Sequence, residues 1–258
     1  MSWVCPMCST SNERKCSSCF VCGYEHRKKR VSLKEIKTAF NRGIELYNKG
    51  NYEEAFEFIS FAAEHRDLEA LLLVAELYKY GRGTEIDKRK SYESYIIAAQ
   101  KNDAYAQYQV ALCYYSGEGT RQSYTYAIKW LEKASDQKYP DAIRLLANMY
   151  MKGEGVWSDY DKAIELFKEA NIYYRPQNNT DIYEDPESLL GIALCYQLKG
   201  KKIRAAFYFK KSAKYGCAEA QYMLSKCYKK GYGVFKSDVK AKEWYSKAKS
   251  NGYVKKTE

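Results

Sequence analysis

The sequence predicts an all-α protein, an α-solenoid of about six helix-turn-helix repeats. The first observation is a recurring motif in which a tyrosine is followed within five residues by Gly-x-Gly. Its tyrosines are Tyr78, Tyr114, Tyr150 and Tyr228. The first three are 36 residues apart, and a fixed period in this range is typical of stacked helical units. The second observation is the helix-period spacing of apolar residues between the motifs. Such stacks usually present a surface, so the repeats point to binding more than to catalysis.

A small zinc-bound module is predicted to precede the array, in residues 1–25. Two Cys-x-x-Cys pairs are separated by ten residues, and their members are Cys5, Cys8, Cys19 and Cys22. Four thiolates close a tetrahedral zinc site and leave no open position, so the ion is expected to be structural. Cys16 offers a rival pairing with Cys19. The pairing of Cys19 with Cys22 is preferred because Gly23 follows it, as in a metal knuckle. A segment this short cannot build a sufficient core, so the metal would hold it folded.

The spacing of this segment resembles the Ran-binding nucleoporin type of zinc finger. The matching residues are Trp3, Cys5, Cys8, Asn12, Cys19 and Cys22. The resemblance implies that the tryptophan and the asparagine are structural. The residues with which members of that family bind ubiquitin or RNA are not matched in this chain. Ubiquitin-binding members have Thr-Phe where this chain has Ser9-Thr10, and RNA-binding members have an aromatic ring where it has Glu13. A simple zinc ribbon is an alternative description of the same four-thiolate module.

A basic linker, residues 26–32, joins the module to the array. It contains the run His26 to Arg30, and the whole chain has 43 basic and 32 acidic residues, a formal net charge of +11. This charge favours acidic partners, and nucleic acid binding through the finger and the linker is therefore an alternative hypothesis. A solvated, lysine-rich helix surface is the simpler explanation of the same charge.

The second helix of each unit is predicted from small residues that recur two turns apart. One equivalent position holds Ala55, Ser91, Ala127, Ala163, Ala205 and Ala241. Seven residues later come Ala62, Ala98, Ala134, Ala170, Ser212 and Ala248. Small residues at this spacing allow a neighbouring helix to approach closely. The Gly-x-Gly is expected to end each first helix, because glycine adopts the left-handed conformation of a C-cap. Asp87, Asp159 and Asp238 are expected to cap the second helices.

These features resemble the Sel-one-like repeat, a relative of the tetratricopeptide repeat, over residues 33–258. The last unit is the fullest copy, with Ala218, Gly231, Gly233 and Trp244 at family positions. The first and fifth units lack the Gly-x-Gly. A longer connection, about 173–187, contains two prolines and is not expected to be helical throughout. Its role is left open between function and simple insertion.

The sequence contains no constellation of catalytic residues, so we expect a non-enzymatic scaffold and infer no small-molecule substrate. An enzyme is a third hypothesis, which an acid/base cluster in the groove of the array would support. The partner is predicted to be a protein or a peptide. The resemblance implies that the first helices line the concave face. The residues expected to contact the partner there are Tyr80, Tyr105, Tyr115, Tyr222 and Lys229.

Three weaker signals bear on where the protein is located. The N-terminus lacks the pattern of a secretory signal, and no stretch approaches the roughly 20 apolar residues of a membrane span. The cysteines outside the N-terminal segment are scattered, at Cys113, Cys195, Cys217 and Cys227. They are expected to be small buried hydrophobes in a reducing compartment. A cytoplasmic protein is therefore predicted.

Overall fold

The computed structural model describes residues 3–4, 11–12, 31–174 and 184–254. Two short strands, β1 (Trp3–Val4) and β2 (Ser11–Asn12), pair antiparallel, with Trp3 opposite Asn12. Twelve helices follow. They are α1 (Leu33–Asn48), α2 (Tyr52–Glu64), α3 (Leu68–Tyr80), α4 (Lys88–Gln100), α5 (Ala104–Ser116), α6 (Tyr124–Asp136), α7 (Pro140–Lys152), α8 (Tyr160–Tyr173), α9 (Pro186–Leu198), α10 (Lys202–Lys214), α11 (Ala218–Lys230) and α12 (Asp238–Ser250).

The helices form six consecutive hairpins, as the repeat pattern predicts. Each helix packs against the one before and the one after it, and α7 also contacts α9. The small residues at both predicted positions of the second helices are buried, including Ser91 and Ser212. Large side chains between them, such as Tyr95 and Phe167, are among the most completely buried. The helices approach closely at the small residues, and the large side chains fill the space between them. The core therefore continues from unit to unit.

The second helices begin at a fixed distance from the motif tyrosine. In the four units with Gly-x-Gly, the N-cap residue follows that tyrosine by nine positions. Its backbone N–H donates to the tyrosine carbonyl at 2.8–3.0 Å, as Ser123 does to Tyr114. Asp87 and Asp159 cap α4 and α8 through their side chains, as predicted. The prediction for Asp238 was wrong. Ser237 caps α12, because it is the residue at the ninth position, and Asp238 is the first helical residue.

The two glycines of each motif have different physical roles. The first is the predicted C-cap in the left-handed region, with Gly117 at a φ of +79°. The second also has positive φ, but its backbone lies against the start of the preceding unit's second helix. A Cβ on Gly119 would lie 2.1 Å from the carbonyl oxygen of Lys88, and one on Gly233 would lie 2.1 Å from that of Lys202. The second glycine therefore permits contact between units.

The fifth unit lacks this contact with the unit before it. Its first helix, α9, ends at Leu198, and α10 begins only four residues later, after a turn at Gly200. No second glycine is present to cover the start of α8. An open groove of about 1010 Å³ lies beside the start of α8, lined in part by Trp157, Tyr160 and Lys199.

Candidate interaction surface on the first helices

The five residues predicted to contact a partner all lie on first helices. Tyr80 ends α3, Tyr105 and Tyr115 lie on α5, and Tyr222 and Lys229 lie on α11. We call the surface formed by these residues and by the Arg144 cluster described below the first-helix face.

Two of the five are well exposed. The Tyr80 side chain is 56% exposed, with the cationic groups of Lys79 and Arg82 at 5.6 and 5.7 Å from its ring centre. Lys229 is exposed near the end of α11. Tyr80 and Lys229 are therefore the members of the predicted set most accessible to a partner.

Tyr105 is half-buried and held in place from the neighbouring unit. Its hydroxyl donates to Glu76 Oε1 on α3 at 2.7 Å, and its ring meets that of Tyr95 edge-on at 6.3 Å. Burial, and then the hydrogen bond to Glu76, raises the pKa of Tyr105. The hydroxyl is therefore neutral at physiological pH, and the ring is fixed between units two and three.

Tyr115 links units three and four through its hydroxyl, as Tyr105 links units two and three. Its hydroxyl donates to Glu154 Oε2 at 2.9 Å, and its ring lies 5.4 Å from the ring of Tyr124. Burial, and then the hydrogen bond to Glu154, raises the pKa of Tyr115 to about 12. Tyr105 and Tyr115 therefore tie neighbouring units together and present only part of each ring to solvent.

Tyr222 lies near the C-terminal end of the array. Its ring stacks on Tyr253 with centroids 4.2 Å apart, and the Lys226 ammonium lies 4.5 Å above it. The stacking fixes the segment after α12 against α11. The remaining ring surface lies beside a positive charge, which favours contact with an acidic or aromatic group.

A charged cluster that the sequence did not predict lies between units four and five. Arg144 on α7 donates to Asp185 Oδ2 at 3.0 Å, pairs with Glu187 Oε2 at 3.2 Å, and also pairs with Asp141. The Asp185 side chain is only 2% exposed and also caps α9 by accepting from the backbone of Ser188. Its own backbone N–H donates to Asn171 Oδ1 at 2.6 Å. One aspartate thus anchors the end of the 173–187 connection to three elements.

The cluster places three carboxylates around one guanidinium. Burial alone would lower the pKa of Arg144, but Asp185 and Glu187 outweigh it, so the pKa is raised and the charge is kept. The formal charge of the group is −2. Tyr108 lies close by, and burial followed by the charge of Asp141 raises its pKa. This part of the first-helix face is therefore negative, although the whole chain is positive.

Only weak sequence signals mark this cluster. Asp141 and Glu187 stand at the second position of their helices, where acids are common for reasons of the helix dipole. Asp185 precedes a proline that starts α9, which is a typical capping arrangement. The sequence does not show that the connection before α9 brings Asp185 back to Arg144, which lies 41 residues earlier in the chain.

The described residues contain no group of three or more His, Cys, Asp or Glu side chains placed to hold a metal ion. Burial raises the pKa of the Cys113 and Cys227 thiols to about 11 and that of Cys195 to about 12, so these thiols are protonated at neutral pH. They are free cysteines, and Cys195 and Cys227 are buried, as predicted. Cys113 and Cys217 are half-buried.

The predicted zinc ligands Cys5, Cys8, Cys19 and Cys22, the rival Cys16 and most of the basic linker lie outside the described residues. In the part of the chain that the structure does describe, no helix has the length and apolar character needed to cross a bilayer.

Comparisons with solved structures agree with the fold. A Sel1 repeat protein from Oxalobacter formigenes is 27% identical, with 83% of each chain covered and a TM-score of 0.70. The uropathogenic Escherichia coli protective antigen c5321, which has an SLR fold, is 23% identical with a TM-score of 0.70. That match covers 83% of this chain and 45% of the antigen. Pseudomonas aeruginosa pilF is 18% identical, with a TM-score of 0.56 and coverage of 85% and 89%. None of the curated proteins matches the chain.

The family model described as Sel1 repeat matches five segments, which are residues 38–67, 68–103, 104–139, 140–171 and 218–253. The unmatched part of the array holds α9 and α10, the unit that lacks the Gly-x-Gly loop. The matched segments make up more than half of the chain, and they coincide with structural hairpins. The chain therefore belongs to the Sel1 repeat family.

Proposed function

We propose that this chain is a non-enzymatic scaffold that binds a protein or a peptide along the first-helix face. The observation that carries the proposal is the tandem array itself, because stacked helical hairpins of this kind present an extended surface without a catalytic centre. Tyr105 and Tyr115 support it. Their rings are already fixed by Glu76 and Glu154, so little side-chain freedom is lost when a partner packs on them.

The charges on the face suggest the chemistry of the partner. The Arg144 cluster is negative, whereas Lys229 and Lys226 on α11 are exposed and positive. We infer an extended segment that carries a basic residue opposite units four and five and an acidic residue opposite unit six. Aromatic or aliphatic side chains between them would pack against the tyrosine rings.

We also propose that the N-terminal segment binds one structural zinc ion through Cys5, Cys8, Cys19 and Cys22. The pairing of β1 with β2 supports this proposal, because Cys5 and Cys8 lie between the two strands in sequence. A bound ion would hold a short segment that is too small to fold by core burial alone. With four thiolate ligands it would supply structure and no reactive position.

The test is affinity capture by the intact chain from a nuclease-treated lysate, quantified by mass spectrometry. The variant Y80A/K229A removes the two most exposed side chains of the face. The matched control F61A/K168A removes one exposed aromatic ring and one exposed lysine from second helices. We expect a discrete protein partner whose recovery falls at least about tenfold with the first variant only.

Equal recovery with both variants would contradict the proposed face. Capture that is seen only in a parallel lysate without nuclease, with a steep dependence on salt, would favour nucleic acid binding through the finger and the linker. In that case a chain lacking residues 1–30 would lose all binding.

A further inference from the structure

Charge is distributed very unevenly along the array. Residues 199–249 contain 15 basic and 3 acidic side chains, whereas the described residues 31–174 and 184–198 contain 19 basic and 25 acidic ones. The positive charge of the folded array is therefore concentrated in units five and six. Of the 15 basic residues, 14 are lysines and one is Arg204.

Large apolar side chains are exposed in the same region, on one edge of the array. Trp157 and Phe235 occupy equivalent positions in the loops of units four and six and are 95% and 98% exposed. Leu198, Ile203 and Val239 lie at helix ends on the same edge, and each is more than half exposed.

The lysines lie among these apolar side chains. Residues 198–203 and 230–240 contain six of them, which are Lys199, Lys201, Lys202, Lys230, Lys236 and Lys240, and one acid, Asp238. Lys199 pairs with Asp161 on α8, which lines the same groove, so the other five lysines supply the positive charge of this edge. We call these two ranges together with Trp157 the C-terminal loop edge. It is continuous, because Trp157 and Lys199 line one groove and the Lys202 ammonium lies 5.6 Å from the ring of Tyr232.

We propose that the C-terminal loop edge docks on the surface of an anionic lipid bilayer. The lysines would lie at the level of the negatively charged headgroups, and Trp157, Phe235 and the aliphatic side chains would enter the boundary with the acyl chains. This places a membrane surface on an edge of the solenoid and leaves the first-helix face open to its own partner.

The composition of the edge favours lipid over two other acidic partners. Nucleic acid is recognised through arginine forks as well as flat rings. This edge has two exposed rings, Trp157 and Phe235, but no arginine, and it also exposes Leu198, Ile203 and Val239, which cannot stack on bases. Protein interfaces are enriched in arginine and depleted in lysine, which is the reverse of this composition. Lysine acts as a point charge in the diffuse field of anionic headgroups, and protruding apolar side chains suit a soft, deformable partner.

The experiment is co-sedimentation of the intact chain with two kinds of vesicle, pure phosphatidylcholine and phosphatidylcholine containing phosphatidylserine. We expect binding only to the second kind and weaker binding as salt is raised. The variant W157S/F235S should bind at least about tenfold more weakly. The variant K201Q/K236Q should bind about 25-fold more weakly at low salt, from about fivefold for each lysine.

The matched control is I172S/K214Q, which changes one exposed apolar residue and one exposed lysine at the C-terminal ends of α8 and α10. These ends lie on the opposite edge of the hairpins, so this variant should bind as the unchanged chain does. Circular dichroism checks that all variants remain helical. The proposal is overturned if the unchanged chain does not sediment with anionic vesicles, or if the control loses as much binding as W157S/F235S. Sedimentation without vesicles, through self-association of the basic edge with the acidic units, would also overturn it.

Discussion

Substitution of Gly119 by alanine tests whether the second glycine of the motif holds neighbouring units together. A Cβ there would lie 2.1 Å from the Lys88 carbonyl oxygen and 2.7 Å from its carbonyl carbon. Both atoms belong to the backbone at the start of α4, so no side-chain rotation relieves the overlap. Contact distances would be restored only by moving the loop about 1 Å from α4, against close-packed surroundings.

Gly153 is the matched control, because its φ of +74° differs from that of Gly119 by one degree. The nearest atom to a Cβ on Gly153 is the Ser158 nitrogen at 3.4 Å, an ordinary contact. G153A should therefore lower the free energy of unfolding by about 1–2 kcal/mol, the cost of the left-handed conformation. G119A carries the same cost plus about 1–3 kcal/mol of overpacking between units.

Urea denaturation followed by circular dichroism at 222 nm measures both variants. We expect G119A to be less stable than G153A by about 1–3 kcal/mol. Equal destabilisation, within about 0.5 kcal/mol, would show that contact with the preceding unit does not require the second glycine.

Three further predictions follow from the buried groups and the cysteine pairs. R144M leaves the buried Asp185 carboxylate without its partner and should lower the free energy of unfolding by about 3–5 kcal/mol. Adding D185N should recover part of this loss, and a double variant no more stable than R144M would count against the pairing. Burial raises the pKa of Cys195 to about 12, so the unfolded chain loses this thiol proton first. The stability that the protonated Cys195 thiol contributes is fully present below about pH 9. It is lost as pH rises toward 12, by at most about 1.4 kcal/mol per pH unit. C195A should therefore lose stability less steeply above pH 9 in urea titrations, and parallel curves would contradict this. C22S should lose about one zinc per chain by elemental analysis while C16S retains it, and the reverse pattern would establish the rival pairing.

The regular parts of the fold were predictable because they depend on contacts that repeat. The spacing of 36 residues, the small residues of the second helices and the helix ends at glycine are local properties, and the structure confirms them. The cap of α12 could not be predicted from residue type alone. The residue type favoured Asp238, whereas the backbone hydrogen bond to the Tyr228 carbonyl fixes the cap at Ser237.

The interaction surfaces were predictable only in part. The sequence placed all five candidate residues on first helices, but it did not show that Tyr105 and Tyr115 would be half-buried by bonds to Glu76 and Glu154. The Arg144 cluster depends on how an irregular connection returns to the array, which no repeat pattern describes.

Site-specific photo-crosslinking tests the central claim most directly. A photoreactive benzoylphenylalanine would replace Tyr80 on a first helix in one sample and Phe61 on a second helix in the other, with the chain otherwise intact. We expect a covalent adduct with a partner protein at position 80 and none at position 61. An adduct at position 61 alone would contradict recognition by the first-helix face.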